Sequence, residues 1–111
     1  LGVNQNRKTK MIVNIINAYR NIITIADKEL IGKQFFEGKK QLDVKKSFYQ
    51  GENSEEKTPE EVEKIICEWA MEDATFNIIG KNSIGIAKKL KLISEEAIGK
   101  VDEIPHAMIL L

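Results

Sequence analysis

A chain of 111 residues, 42% hydrophobic and 31% charged, has the size of one domain and enough apolar side chains to bury a core, which excludes a disordered polypeptide. Its apolar runs, such as Met108–Leu111, fall far short of the roughly 20 residues that a membrane-spanning helix needs, and a lone cysteine, Cys67, excludes an internal disulfide and a cysteine-based metal site. The zero net charge is segregated: residues 1–51 carry ten Lys/Arg against four Asp/Glu, residues 52–73 carry two against nine, and the remainder five against four.

No secretory signal is visible in the first ten residues, which are polar and basic, so a reducing, cytoplasmic setting is expected. Leu1 is an unusual first residue, whereas Met11 opens the first hydrophobic run. Residues 1–10, with Arg7, Lys8 and Lys10, are therefore expected to form a disordered basic leader, and residues 11–111 a single domain. Met11–Asn17 and Asn21–Ala26 are rich in Ile and Val on either side of Tyr19-Arg20, which predicts a β-hairpin. Asp27–Gly32 reads as a strand exit into a short helical turn closed by Gly32. Gly38 breaks the segment before Gln41–Val44, where alternation predicts a third strand, and Lys45–Tyr49 has room for one helical turn ended by Gly51.

The firmest local signal begins at Thr58. Thr58-Pro59-Glu60-Glu61 sets an N-cap hydroxyl, a proline at the first helical position and a glutamate able to reach back to the cap. Val62, Ile65, Ile66, Trp69 and Ala70 then repeat with helical period. Residues 73–80 are compatible with a strand through Thr75, Phe76, Ile78 and Ile79, and with a helix through Ala70, Ala74 and Ile78. A second helix is predicted after Asn82 or Ser83, with Ile84, Ala87 and Leu90 inward and Lys88, Lys89 and Lys91 outward. Ser94 caps a further helical turn stopped by Gly99, and Ala107–Leu111 closes the chain as a strand whose start is set by Pro105. This order predicts an α+β two-layer sandwich, a small antiparallel or mixed sheet with helices packed on one face.

Several stretches recur together as a set: Glu29-Leu30-Ile31-Gly32-Lys33, Phe36-Glu37-Gly38, Leu42-Asp43-Val44, Phe48-Tyr49-x-Gly51, Ala74-x-x-Asn77-x-Ile79-Gly80 and Ile104-Pro105-His106-Ala107. In order and spacing, from Met11 to Leu111, they make the chain resemble an uncharacterised archaeal family known as domain of unknown function four hundred and twenty-four. The resemblance implies a compact α+β two-layer domain, an archaeal cytoplasmic setting and a translation-associated context. It carries no activity, substrate or catalytic residue.

Chemistry-bearing residues are few. His106 is the sole histidine: it could serve as a general base, or simply hydrogen-bond a backbone carbonyl at the mouth of the last strand. Cys67 lies on an acidic helix, which disfavours a reactive thiolate and points to a structural role. Lys33, Lys39, Lys40, Lys45 and Lys46 surround the third strand, interleaved with Phe35, Phe36, Phe48 and Tyr49. That mixture suits either a nucleic-acid grip or a core ringed by solubilising lysines. The Asn77 amide sits in an apolar run and can face a ligand or satisfy the backbone.

No dinucleotide, P-loop, nucleophile-elbow or zinc-protease motif is present, and no cofactor or metal site is expected. The reading is a non-catalytic binding module acting on RNA or a translation component, with a candidate cleft of Lys33, Glu37, Tyr49, Asn77 and His106. The alternatives are a protein-interaction or oligomerisation domain whose acidic helix meets a basic partner, and a small enzyme using His106 with Lys33 or Glu37.

Overall fold

A computed structural model describes residues 9–111, so most of the predicted basic leader lies outside the described residues. Eight strands form in chain order: β1 (Met11–Ile16), β2 (Ile22–Asp27), β3 (Gln34–Glu37), β4 (Lys40–Asp43), β5 (Glu55–Lys57), β6 (Thr75–Ile79), β7 (Gly99–Val101) and β8 (Ile104–Leu110). Three α-helices accompany them: α1 (Lys46–Tyr49), α2 (Pro59–Ala70) and α3 (Lys81–Lys89). Single 3₁₀ turns span Lys28–Leu30 and Glu95–Ala97. No helix among the described residues is long and apolar enough to cross a membrane.

Six strands make one mixed sheet in the order β5-β1-β2-β6-β8-β7, antiparallel except for the parallel β2–β6 pair. The β2–β6 link is parallel because the chain between them, which includes α2, crosses over the sheet before returning in the same direction. Alternation sorts the side chains onto two faces. Met11, Val13, Ile23, Ile25, Phe76, Ile78 and Ala107 pack against Val62 and Ile66 of α2 and Ile84, Ile86 and Ala87 of α3, forming the main core. A smaller cluster on the opposite face gathers Ala26, Leu30, Val44 and Ile79, with Phe35, Leu42 and Tyr49 packed against it. The architecture is α+β, with the two long helices on one face as the element order predicts. The other face is only partly covered, by the β3–β4 hairpin and α1.

Two local readings need correction and a third, left open between strand and helix, is resolved. Gly38, with φ of +63°, does not separate a loop from a strand; it turns the β3–β4 hairpin, so Gln34–Glu37 is a strand that the sequence reading passed over. Residues 75–79 are extended, and the helical spacing of Ala70, Ala74 and Ile78 is overridden by pairing with β2 and β8. The last strand starts at Ile104 and contains Pro105, which is tolerated because it lies at the start of the strand, beyond the last β6–β8 pair, where its carbonyl still accepts from the Gly80 N–H at 2.9 Å.

The α2 cap forms as its sequence dictates. The Thr58 side chain accepts from the Glu61 N–H at 3.3 Å, and the Glu61 carboxylate accepts from the Thr58 N–H at 2.9 Å. Thr58→Ala leaves the Glu61 N–H without its acceptor, while the backbone N–H at residue 58 keeps its bond to the Glu61 carboxylate. It is expected to destabilise the fold by about 1 kcal/mol, measured by urea unfolding.

The cap of α3 could not be seen locally. Neither Asn82 nor Ser83 is the N-cap; Gly80 holds that place without a side chain to offer. The caps come instead from Asp27, more than fifty residues earlier at the end of β2. Its carboxylate accepts from Asn82 N–H at 3.0 Å, Ser83 N–H at 2.9 Å and Ser83 Oγ at 2.7 Å. Burial pushes this carboxyl above the usual range, opposed by those three hydrogen bonds. The acidic and basic stretches of sequence meet within the fold through Lys28–Glu56 at 2.6 Å, and Lys89, from the remainder of the chain, pairs with Glu63 at 2.9 Å. Both pairs reach solvent, with only Glu63 half-buried, so solvent screens them and they contribute little.

Candidate functional site

Register across the sheet places one polar row on the face opposite the long helices. Asn14 pairs with Thr24, Thr24 with Asn77, and Asn77 with Met108, so these four residues cross β1, β2, β6 and β8 side by side. The neighbouring row ends Ala26, Ile79, His106 and Gly99. At the β1–β2 end, α1 closes the polar row: Asn14 Nδ2 donates to the Phe48 carbonyl at 2.8 Å and Thr24 Oγ1 to the same oxygen at 3.4 Å. Nothing performs that service for Asn77. Beyond it the sheet opens into a groove of about 570 Å³, walled by Leu42, Tyr49, Asn77, Gly99, His106 and Met108, with Glu96 at its rim.

Three polar side chains therefore converge here without an internal partner. Among the described residues, no group hydrogen-bonds the Tyr49 hydroxyl, the Asn77 amide or the His106 imidazole, and no side-chain polar atom is both fully buried and unsatisfied, so these three reach the hollow. Folded proteins pair their polar groups or leave them to water or ligand. These three are half-buried and face one hollow. Burial pushes the Tyr49 hydroxyl above its ordinary range, which keeps it a protonated donor and acceptor. Its ring stands edge-on to Phe48, with centroids 5.1 Å apart, and this contact holds it at the groove wall.

Gly99 is what allows His106 to lie where it does. A Cβ at residue 99 would stand 2.9 Å from both Cε1 and Nε2 of the ring, so only glycine leaves that space. On its other side His106 faces a second hollow with Lys40, Gln41 and Lys100. Burial lowers the His106 pKa, and the positive charge of Lys40 lowers it further. The imidazole is thus neutral at pH 7, with one nitrogen donating and one accepting. Because folding depresses this pKa below the unfolded value of about 6.5, neutral His106 contributes stability that is complete above that value. The contribution is lost as pH falls through the folded pKa. His106→Gln is expected to flatten this acid limb in pH-dependent unfolding, and Lys40→Met to move the His106 titration upward when followed by NMR.

The remaining candidates lie elsewhere. Glu37 turns away to accept from the Asp102 N–H at 2.7 Å, tying the β3–β4 hairpin to the β7–β8 turn. That turn needs the support, since Asp102 and Glu103 both hold positive φ without being glycine. Lys33 is exposed at the start of the hairpin and lines neither hollow that His106 lines. Phe35 packs inward while Phe36 is exposed, and Cys67 is exposed on α2 instead of joining the apolar face. Gly99, read only as a helix stop, and Met108, read only as part of an apolar run, were not among the candidate cleft residues, although the alternation of Ile104–Leu110 already puts His106, Met108 and Leu110 on one face. No group of three or more His, Cys, Asp or Glu among the described residues is arranged to hold a metal ion.

No curated protein matches the chain. A solved structure described as an uncharacterized conserved protein from Methanopyrus kandleri shares the fold, with a TM-score of 0.77 over 90% of each chain at 21% sequence identity. Residues 16–111 match the family described as "Protein of unknown function (DUF424)", which covers both the open sheet face and the groove, and the chain belongs to that family.

Proposed function

We propose that this protein is a non-catalytic binding module whose site is the groove beside His106, and that its ligand is single-stranded RNA in a cytoplasmic, translation-associated setting. The observation that carries the reading is the convergence of Tyr49, Asn77 and His106, each without an internal hydrogen-bond partner, on one hollow. Their chemistry suits a nucleotide. Tyr49 and His106 offer rings for stacking, and the Asn77 amide offers a donor and an acceptor to a base edge. Lys40 and Lys100 stand on the far side of His106, within reach of a phosphate on the same ligand. A catalytic role has less support, because neither partner expected for His106 joins it in the groove: Glu37 is engaged with Asp102 and Lys33 lies outside.

The test is fluorescence anisotropy with labelled single-stranded RNA across a salt series. Two lysine–phosphate contacts predict a log–log salt slope of about −1.4. Tyr49→Ala is expected to weaken binding about tenfold by removing a stacking surface, and Lys40→Glu to lower the slope. Absence of binding at low ionic strength would remove RNA as the ligand.

A further inference from the structure

The two edges of the six-stranded sheet are treated differently. At one, β5 carries Glu55, Glu56 and Lys57, and charged side chains on a short strand deter pairing with another chain. At the other, β7 covers only the first three residues of β8, pairing Gly99–Val101 with Ile104–His106. The rest of that edge is apolar and uncharged, with Met108 63% and Leu110 71% exposed.

The hydrogen-bond phase along β8 follows from one bond. Gly80 N–H donates to the Pro105 carbonyl, so residues 105, 107 and 109 direct their backbone groups toward β6. Residues 106, 108 and 110 point the other way. His106 meets Gly99 of β7, but among the described residues no backbone group meets Met108 or Leu110. A short row of free N–H and C=O groups therefore stands beside exposed apolar side chains, which is the unprotected template that natural sheets avoid unless something pairs with it.

We infer that this edge pairs with the same edge of a second copy, antiparallel about a two-fold axis at Ile109. In that register Met108 of each copy exchanges hydrogen bonds with Leu110 of the other, because both residues point outward. The side chains of each pair share a face, so two methionines and two leucines meet. No like charges face one another along the segment.

Charge at the two ends of the edge argues for a second copy as the occupant. Exposed Arg20 sits at the Leu111 end, where its guanidinium donates to the Leu111 carbonyl. Exposed Glu96 sits at the Met108 end, on the rim of the groove. Antiparallel pairing brings the Arg20 end of one copy to the Glu96 end of the other, twice by symmetry. The pairing also sets Leu110 of the second copy beside Met108, extending the groove wall. With only a few residues engaged per copy, the dimer is weak and concentration-dependent.

Sedimentation velocity on the RNA-free protein tests this apart from any ligand at the groove. The expected result is a shift from 12.6 kDa toward twice that mass as concentration approaches about 0.5 mM. Met108→Pro removes only an outward N–H, leaves the β6 ladder whole, and is expected to weaken association at least tenfold with Tm preserved. Leu110→Lys, which alters no backbone group, is expected to do the same and decides the matter should the proline variant melt early. Arg20→Glu is expected to weaken the dimer, and Arg20→Glu with Glu96→Arg to restore it. A monomer throughout that range overturns the inference, as does a dimer that withstands both Met108→Pro and Leu110→Lys.

Discussion

Gly80→Ala is expected to be among the most destabilising single substitutions in this chain, lowering stability by about 4 kcal/mol. Two independent effects combine. Gly80 holds φ of +111° and ψ of 152°, a region that only glycine occupies without strain. A Cβ there would also stand 2.3 Å from Cγ of Asp27 and 2.5 and 2.7 Å from its two oxygens. The carboxylate cannot retreat, because its hydrogen bonds to Asn82 and Ser83 fix it at the start of α3. Thermal unfolding should show Tm falling by about 20 °C, given the size of the domain. A loss below about 1 kcal/mol would mean that the β6–α3 junction is far more pliable than its geometry indicates.

Asp27→Ala is the second large effect, expected at about 3 kcal/mol by urea unfolding. It leaves the N–H groups of Asn82 and Ser83 and the Ser83 hydroxyl without their acceptor, at a place where Ser83 is fully buried. It also removes the negative charge that the first turn of α3 faces. The two substitutions should not add. With the carboxylate gone, the alanine methyl at position 80 meets less resistance, so the double variant is expected to lose less than the sum. Strict additivity would show that the clash with Asp27 contributes nothing and that backbone strain alone accounts for the first effect. Asp27→Asn should fall between wild type and alanine, since an amide keeps one acceptor and turns a donor toward the other N–H.

These two residues also mark what local sequence can and cannot disclose. The α2 start was legible because its cap is contiguous: Thr58, Pro59 and Glu61 carry the whole arrangement within four residues. The α3 start was not, because its capping group arrives from β2 through the tertiary fold, and the Asn82 and Ser83 that look like caps are the donors being capped. The same distinction separates β6 from its helical reading. Thr75–Ile79 carries both periodicities, and the choice falls to strands on either side, which supply ladder hydrogen bonds that a local pattern does not reveal. The β3–β4 hairpin was half-seen: Gly38 registered as punctuation, but with polar residues at both ends, Gln34–Glu37 lacks the alternation that announces a buried strand.

For the site, residue types were readable and their gathering was not. Tyr49, Asn77 and His106 stood out as residue types; sheet register brings Asn77 and His106 to one face, and α1, docked on that face, brings Tyr49 to the same groove. Glu37 stood out equally, yet its carboxylate serves the Asp102–Glu103 turn, whose positive φ values no sequence pattern advertised.

By itself the amino-acid sequence determined the layered α+β build, the helix with the contiguous cap, the hairpin that opens the domain and membership in its family. Those features rest on periodicity and on interactions a few residues long, where propensity and burial act locally. The tertiary structure alone decided that β2 pairs parallel with β6, that Asp27 holds α3, and that the end of β8 keeps an open edge beside the groove. Each of these depends on which distant backbone comes to lie alongside, a contest among long-range contacts whose outcome no short window of residues contains.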